Sequence, residues 1–354
     1  MKFRNLFLIV FSYSFILSIE GLAQDFTFSQ YSQIRQATNP GRIGSFSEDV
    51  RATMGYRNQW YASGSPYNVF AVNAELNVFA FPKKLDKLSF MLGAIQDQMG
   101  NGAFKTQYFS FGLAGHKSLD AIKRHQISFG VMGAMQQRSL NPSAFTYNNQ
   151  FNEAGRFFDG SSASGETFGN QNQMHFQFSA GFGYSFFVNE DFQIQANGAF
   201  MGINSLQETF STLPEIDKSS QKKRFSFGTE ASYRFSPKFI AEPFLYYNRQ
   251  GPGYEWVGGT WISFSEKDRP KSFVLSPGFF YRWRDALIPA LKLQYQNWTG
   301  ALSYDITHTS VSDANDQKKL IGIGGFGALE FTLIYKGNFR KQTRRMYSVP
   351  CRTF

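Results

Sequence analysis

Apolar and polar residues alternate with a period of two along most of the chain, which is the pattern of β-strands with one apolar face. The segment 175–188 is the clearest example. One face carries Phe176, Phe178, Ala180, Phe182, Tyr184 and Phe186, and the other carries Gln177, Ser179, Gly181, Gly183 and Ser185. A soluble sandwich buries such an apolar face in its core, whereas a membrane barrel turns it toward lipid. A single strand does not distinguish the two classes.

The same alternation recurs in fourteen segments. They are 49–57, 67–79, 87–96, 104–117, 125–138, 175–188, 192–203, 224–235, 239–249, 254–264, 273–283, 290–298, 299–307 and 320–335. Most are close in length to the roughly 9–11 residues of a tilted membrane strand, and longer than the roughly 5–6 residues of soluble strands. The sequence therefore predicts an all-β fold, a transmembrane antiparallel β-barrel of fourteen strands over residues 49–335.

The connections between these segments differ in length in a regular way. If successive connections alternate between the two ends of the barrel, the longest ones, 139–174 and 204–223, fall at one end. The shortest ones, 189–191 and 236–238, fall at the other end. Outer-membrane barrels have long outer loops and short periplasmic turns. This asymmetry predicts that the long connections face outside and that both termini are periplasmic.

Charged residues within the segments fall on the polar face. They include Arg51, Arg57, Glu75, Lys292 and Glu330. An Arg or Lys that faced lipid at the membrane midplane would destabilise the barrel by roughly 2–4 kcal/mol. We therefore expect these side chains to lie in the lumen and to pair there.

The first residues have the features of a secretion signal. Lys2 and Arg4 precede a short apolar run, and small residues lie just before Ala23, where a signal peptidase cuts. We predict that residues 1–23 are removed near Ala23, because the alternative of a permanent anchor requires a longer run. Residues 24–48 then form a segment that is either periplasmic or plugs the barrel.

The charge balance is basic, with a formal net charge of +10. The signs are mixed along the barrel segments, which argues against a nucleic-acid groove. The segment 336–354 is different, because it carries only basic charges: Lys336, Arg340, Lys341, Arg344, Arg345 and Arg352. We predict a periplasmic tail there that is either solvated or docks an acidic partner or lipid headgroups. Its Cys351 either pairs with a partner cysteine or is a small buried apolar residue.

No residue pattern indicates an enzyme, a cofactor or a metal. The stretch "GIGGFG" (322–327) matches a dinucleotide-binding motif, but it leads into a strand rather than a helix. The four histidines, His116, His125, His175 and His308, lack the spacing of metal ligands. We expect His175 and His308 to be solvated at the rim of the barrel. The connection 139–174 is a flexible surface loop or, because of its many aromatic residues, a loop that binds a partner or covers the pore.

Three motifs carry a family resemblance. The first is the opening stretch "QDFTFSQYSQIRQATNPGRIG" (24–44), which contains Phe28, Ser29, Gln30, Tyr31, Asn39 and Pro40. The second is "YRNQW", formed by Tyr56, Arg57, Asn58, Gln59 and Trp60. The third is the ending "VPCRTF" (349–354), which contains Pro350, Cys351 and Phe354. Together they resemble the PorP/SprF family, outer-membrane proteins of the type IX secretion and gliding system of Bacteroidota.

This resemblance implies a fourteen-stranded outer-membrane barrel without enzymatic activity. Family members support secretion or surface anchoring of adhesins and associate with periplasmic parts of the machinery. The implied partners are outer-membrane lipid, periplasmic type IX secretion or gliding components, and a secreted surface adhesin. The residues alone leave open a passive channel or a hydrophobic-solute transporter, and a hydrolase lacks a catalytic set.

The cluster "YRNQW" is interpreted as a compact group of side chains at the rim whose role is structural. We expect Arg57 to lie in the lumen near the outer mouth. Trp60 is expected to anchor at the membrane interface or to cap the barrel. Asn58 and Gln59 are expected to satisfy backbone groups where the strand ends.

Overall fold

The chain folds into a closed barrel of fourteen antiparallel strands in the computed structural model. The structure describes residues 27–61, 66–81, 86–120, 122, 124–153, 155–166, 168–204, 210, 221–264, 273–307 and 327–339. The strands are β1 (Val50–Gln59), β2 (Tyr67–Phe81), β3 (Asp86–Met99), β4 (Phe104–Ser118), β5 (His125–Leu140), β6 (Asn172–Phe187), β7 (Phe192–Met201), β8 (Arg224–Arg234), β9 (Phe239–Gln250), β10 (Gly253–Phe264), β11 (Val274–Arg282), β12 (Ala286–Tyr295), β13 (Trp298–Thr307) and β14 (Ala328–Gly337). β1 pairs with both β2 and β14, which closes the barrel. The predicted fold class and strand number are confirmed.

Side chains in the strands alternate between the barrel interior and its outer surface. In β1, Arg51 and Arg57 are buried in the interior, whereas Tyr56, which directly precedes Arg57, is exposed on the outer surface. Exposed apolar side chains cover the outside all round, among them Phe70, Leu76, Leu92, Phe109, Phe129, Phe178, Leu245, Phe279, Leu291 and Leu302. This surface is what a membrane barrel presents to hydrocarbon. The face assignments made from the alternation are confirmed for β1 and β2.

We name the two ends of the barrel after the connections found there, the loop end and the turn end. The loop end is the end where β1 stops and where the long connection between β5 and β6 lies. At the turn end β1 begins and β14 stops, and the short connections 188–191 and 235–238 lie there. The predicted alternation of long and short connections is therefore present in the described strands.

Residues 27–49, here called the inner segment, lie inside the barrel. Ser29 contacts Asp305 and Glu330 near the loop end, and Asp49 leads directly into β1 at the turn end. Between them are two short 3-10 helices, Arg35–Ala37 and Pro40–Arg42. The segment therefore runs through the lumen from one end to the other.

The described part of the N-terminal region thus lies where a plug of the barrel would lie, and not where a periplasmic segment would lie. Its direction was not expected, because with both termini periplasmic the start of the mature chain would lie at the turn end. Ser29 instead lies level with Arg57, the third residue from the loop end of β1. The cause is side-chain chemistry, because buried wall charges near the loop end hydrogen-bond to the segment. Residues 1–26, including the predicted signal peptide, lie outside the described residues.

Apolar contacts fill the space between the inner segment and the wall. Phe28 and Ile34 pack against Val69, Ile95 and Tyr108 on one side of the lumen. On the other sides the wall packs against Tyr31 and Ile43. Fully burying a side chain such as Phe28 or Ile34 contributes roughly 1.5–3 kcal/mol. These contacts make the inner segment part of the folded core.

Most strand boundaries differ from the sequence prediction by a few residues, and three of the differences change where a named residue lies. β1 continues through Gln59 rather than stopping at residue 57. β12 begins at Ala286 rather than at residue 290, because the strand accommodates Pro289, a residue that ordinarily interrupts a strand pattern. β14 extends to Gly337, so that Lys336 belongs to the strand and not to the tail.

Parts of the predicted tail and of the last strand cannot be compared with the structure. Residues 340–354, which include Pro350, Cys351 and Phe354, lie outside the described residues. So do His308 and all of "GIGGFG" except Gly327, which immediately precedes β14. These predictions remain predictions.

The long connection at the loop end has structure of its own. It contains the 3-10 helices Pro142–Ala144 and Asn148–Gln150 and a short hairpin of Phe151–Asn152 with Phe157–Phe158. The rings of Phe151 and Phe158 pack with centroids 5.1 Å apart, yet both side chains remain exposed. Among the described residues there is no helix that is long and apolar enough to span a membrane.

Candidate functional site

A cluster of buried charges joins the inner segment to the wall at the loop end. This loop-end cluster consists of Ser29, Arg57, Arg282, Asp305 and Glu330, all buried. Arg57 Nη2 lies 2.7 Å from Oδ2 of Asp305, and its Nη1 lies 3.1 Å from Oε2 of Glu330. Arg282 Nη1 approaches the same Asp305 oxygen at 2.8 Å. Two buried guanidinium groups therefore share one carboxylate.

Ser29 lies at the centre of this cluster. Its hydroxyl accepts hydrogen bonds from Arg57 and Arg282, each at 2.6 Å, and donates to Oδ1 of Asp305 at 2.8 Å. Its backbone N–H donates to Glu330 at 2.7 Å, and the N–H of Gln30 donates to the other Glu330 oxygen at 2.9 Å. Buried polar groups need such partners, so the cluster fixes this part of the inner segment in place.

The strand register explains why the wall residues meet. Arg57 of β1 lies directly opposite Glu330 of β14, and Glu330 lies opposite Ser303 of β13. Residues opposite one another in an antiparallel pair have Cβ atoms about 4.5–5.5 Å apart. Asp305 follows Ser303 by two positions and so lies on the same face, within reach of Arg57. Alternation and register together place both carboxylates beside the arginine.

Tyr31 extends the contact to neighbouring strands. Its ring stacks on Tyr246 of β9 with centroids 4.0 Å apart, and its hydroxyl donates a hydrogen bond to Glu255 of β10. Glu255 also lies 2.8 Å from Nε of Arg282, which links Tyr31 to the loop-end cluster. Burial, followed by the charge of Glu255, raises the pKa of the Tyr31 phenol well above its usual value. The phenol therefore stays protonated and acts as a donor.

A second attachment is formed by Asn39, Pro40 and Gly41. The Asn39 side chain accepts from the N–H of Gly41 at 2.7 Å and donates to the carbonyl of Phe182 at 3.1 Å. This motif lies against Gly130 of β5 and Gly181 of β6, which are opposite each other in the wall. A Cβ added at Gly181 would lie 2.0 Å from Oδ1 of Asn39, and one at Gly130 would lie 2.2 Å from the carbonyl oxygen of Pro40. The two glycines therefore form the surface on which the motif rests.

One ion pair and several hydrogen bonds attach the rest of the inner segment. Arg42 pairs with Glu230 of β8 at 2.7 Å. Within the wall, Arg51 of β1 pairs with Glu75 of β2 at 2.6 Å, and Arg51 also donates to the carbonyl of Gln33 at 2.6 Å. The second oxygen of Glu75 accepts from the N–H of Gly44 at 2.8 Å. These buried contacts connect the segment to walls on different sides of the lumen.

A histidine also contributes. His116 of β4 is buried, and its Nε2 lies 2.7 Å from the carbonyl oxygen of Ile43. Among the described residues, no group of three or more His, Cys, Asp or Glu side chains could hold a metal ion. His116 of the wall thus helps to hold the inner segment in place. His175 is only partly buried.

The "YRNQW" residues divide between the two faces of β1 and its end. Tyr56 is exposed on the outer surface, and its hydroxyl donates to Asn68 of β2 at 3.1 Å. Arg57 is buried in the loop-end cluster. Trp60 has a φ of 59° and an exposed side chain, and its N–H donates to the carbonyl of Gly327 at 3.0 Å. Membrane anchoring or capping by its indole remains a prediction.

The expected role of Asn58 and Gln59 is wrong in one respect. They were placed beyond the strand, where they would satisfy orphan backbone groups. Both residues instead lie within β1 and pair with β2 and β14. The Asn58 amide donates to the side chain of Asn68, and Gln59 accepts from Arg57 at 3.5 Å. The strand is longer than the alternation indicated, because polar residues continue it.

Several residues of this site are absent from the sequence prediction. They are Arg282, Asp305, Glu255, Glu230, Gly130 and Gly181. The charged ones lie on lumen faces, so a complete listing of charges by face would have found them as candidates. The glycines could not be found that way, because their role depends on what packs across the lumen.

Comparison with known proteins agrees with this architecture. The family model described as "Type IX secretion system membrane protein PorP/SprF" matches residues 21–321. A search of curated proteins finds no match.

Among solved structures, the P. putida toluene transporter TodX is similar, with a TM-score of 0.51 and 7% identity, covering 89% of this chain and 100% of that one. The Ralstonia pickettii toluene transporter TbuX is also similar, with a TM-score of 0.49 and 11% identity, covering 85% of this chain and 92% of that one. At such identities the likeness to TodX shows the barrel fold alone.

The family match covers the inner segment, the rim cluster "YRNQW" and thirteen of the fourteen strands. The resemblance carried by the sequence motifs is thereby confirmed. The family and the fold are those of a membrane barrel for secretion or transport, located in the outer membrane. The chain belongs to the PorP/SprF family of type IX secretion system membrane proteins.

Proposed function

We propose that this barrel is a docking platform of the type IX secretion or gliding machinery. It binds periplasmic components at its turn end and supports secretion or surface anchoring of an adhesin at its loop end. The observation that carries the proposal is the inner segment, which occupies the lumen and is attached to the wall by buried hydrogen bonds, apolar contacts and the Arg42–Glu230 ion pair. With its interior occupied by its own chain, the barrel offers partners its ends and its loops.

The assignment of the two ends rests on the connections. Long loops at the loop end and short turns at the turn end correspond to the outside and the periplasm in outer-membrane barrels. β14 stops at the turn end, so the basic tail starts there. Basic side chains at that position would steer an acidic periplasmic partner or contact lipid headgroups.

The loop end offers an aromatic surface to a secreted adhesin. Phe145, Phe151, Phe157 and Phe158 are exposed there, with Phe157 at 53% and Phe158 at 52%. Aromatic side chains of this kind are enriched in the centres of protein interfaces. This supports the partner-binding interpretation of the long connection.

Affinity capture from crosslinked outer membranes, followed by mass spectrometry, tests this proposal. We expect the intact chain to retain periplasmic machinery components and one adhesin. Deletion of residues 346–354 should leave a heat-modifiable barrel and abolish only the periplasmic partners. Retention of those partners by the truncated barrel would show that the tail is not the docking element. Failure of the truncated barrel to insert would show that the tail is an assembly signal.

The single cysteine needs its own control. If Cys351 pairs with a partner cysteine, non-reducing electrophoresis of crude membranes should show an adduct that the Cys351→Ser variant lacks. Identical patterns for the two chains would leave Cys351 as an unpaired residue.

The rival function is an outer-membrane channel or hydrophobic-solute transporter. TodX, which shares the barrel fold, is named as a toluene transporter. The occupied lumen favours docking over open conduction, and electrical measurement separates the two.

A further inference from the structure

Three prolines lie inside membrane-spanning strands on one side of the barrel. They are Pro243 in β9, Pro277 in β11 and Pro289 in β12, and all three are exposed on the outer surface. Proline has no backbone N–H, so it cannot donate a hydrogen bond to the neighbouring strand. In hydrocarbon, water does not replace the missing partner. Each proline therefore weakens the strand pairing at its position.

Each proline coincides with a gap in the pairing of two strands. β8 and β9 pair at Glu230–Phe244 and resume only at Tyr233–Ala241. The pairing of β10 with β11 skips the pairs between Trp261–Gly278 and Phe264–Leu275. The pairing of β12 with β13 skips those between Leu287–Ile306 and Ala290–Ser303.

Each boundary between two neighbouring strands is here called a seam. The other seams nearby have no gap in their pairing. β9 pairs continuously with β10, and β11 pairs continuously with β12. Across the barrel, the seams β1–β2, β3–β4, β4–β5 and β5–β6 also pair without a gap. Interrupted seams thus alternate with intact ones within the sector β8–β13.

Polar side chains bridge this sector from the inside. Ser276 and Ser263 lie 2.7 Å apart, and Ser263 donates to Glu242 at 3.2 Å. Lys292 donates to the same Glu242 oxygen at 2.9 Å. This chain of four residues, here called the inner clasp, links β11, β10, β9 and β12. It bridges the interrupted seam between β10 and β11 and ties β9 to these strands and to β12, but it includes no residue of β8.

A small cavity lies beside the interruption between β8 and β9. It has a volume of about 10 Å³ and is lined by Glu230, Glu242, Pro243, Phe244, Trp261 and Lys292 of the wall and by Ser32 and Gln33 of the inner segment. Such a space is just large enough for a single water molecule. The inner segment therefore lies beside the weakened seam, where Arg42 also pairs with Glu230 of β8. No other interrupted seam has a cavity lined in this way among the described pockets.

We propose that the seam between β8 and β9 is a lateral gate, which the seated inner segment holds shut. When the segment is seated, Arg42 pairs with Glu230 of β8, Ser32 and Gln33 line the cavity beside Pro243, and the wall is closed. When a bound partner shifts the segment, β8 loses the pair with Arg42 and the seam separates at Pro243, while the clasp keeps β9 with β10, β11 and β12. The intact seams on either side keep the rest of the barrel closed.

Hydrogen–deuterium exchange of the full-length protein in lipid nanodiscs tests the gate. We expect amides of residues 230–234 and 240–245 to exchange faster than those of β4 and β5 at matched depth. The Pro243→Thr variant restores one backbone donor, which should slow exchange at this seam about five- to tenfold, the effect of roughly one added hydrogen bond. Equal protection of β8–β9 and β4–β5 in the wild type overturns the proposal.

The pair between the inner segment and β8 is tested with a matched control. Glu230→Gln removes the ion partner of Arg42 and should accelerate exchange at the β8–β9 seam but not at β4–β5. Lys117→Ala removes an ion pair whose lysine is 63% exposed, and should leave both seams unchanged. If Glu230→Gln does not fold, a disulfide lock serves instead.

The lock uses Ser232→Cys with Glu242→Cys in a Cys351→Ser background. These positions would be opposite each other if the β8–β9 register continued through the gap. Oxidation should suppress the fast exchange of 230–234, and reduction should restore it. Identical exchange in the oxidised and reduced forms would show that the seam does not open.

Discussion

Arg57 is the residue on which the loop-end cluster most depends, because it contacts Asp305, Glu330 and Ser29 at once. Arg57→Ala leaves two buried carboxylates with fewer partners. Breaking a buried pair in this way costs about 3–5 kcal/mol. We expect the variant barrel to lose heat-modifiability at a lower temperature, or to assemble poorly, in gel-shift assays of purified outer membranes.

Lys117→Ala is the matched control for that experiment. Lys117 pairs with Asp86 at 2.8 Å but is mostly exposed, so the loss should be about 0–1 kcal/mol. Equal unfolding temperatures for the two variants would contradict the structural role of Arg57. If Arg57→Ala has wild-type heat-modifiability but loses a client protein, recognition is its primary role.

Gly181 provides a second prediction at the scale of single residues. Gly181→Val places side-chain atoms where Asn39 and Gly41 now lie, 2.0 and 2.9 Å from the position of a Cβ. The Asn39–Gly41 motif should be displaced, and the variant should unfold at a lower temperature than the wild type. Gly115→Val is the control, because nothing lies within 4 Å of a Cβ there. Similar destabilisation by both substitutions would mean that contact with the motif is unimportant.

Part of the site could be predicted from single residues. Alternation placed Arg57 and Glu330 in the lumen, and burial then requires that they pair. The role of Ser29 could not be predicted in this way, because it depends on how the inner segment threads the barrel. The same holds for Gly130 and Gly181, whose lack of a side chain matters only once Asn39 and Pro40 lie against them.

At the scale of elements, the long connection at the loop end and the short turns should differ in their exposure to proteases. Arg156 in the connection and Lys238 in a turn are both exposed in the structure. Trypsin added to intact cells should cut after Arg156 and spare Lys238, because only the first faces outside. Permeabilised cells should be cut at both. Cleavage at Lys238 in intact cells would invert the topology.

The strands were the most predictable elements. Alternation over nine or more residues is a long signal, and each of the fourteen segments overlaps one strand. The errors lie at the ends, as at β12, where Pro289 lies within the strand. The inner segment has no such period, since its contacts surround it on several sides. Its motifs therefore indicated its importance without giving its path.

At the scale of the whole molecule, the account describes a membrane barrel closed by its own chain. Exposed apolar side chains face lipid, the interior is occupied by the inner segment, and buried charges are paired within that interior. The inner segment makes the lumen part of the core, so the ends and loops become the surfaces available to partners. Docking is compatible with an occupied lumen, whereas conduction requires an open one.

Conductance of the purified full-length barrel in planar bilayers tests this central claim most directly. Because the inner segment occupies the lumen, the account predicts insertion without steady, large single-channel currents. An open porin in the same bilayers verifies that such currents would be detected, and heat-modifiability verifies that the inserted protein is folded. Steady, large currents from the folded wild-type barrel would contradict the account and favour the channel function.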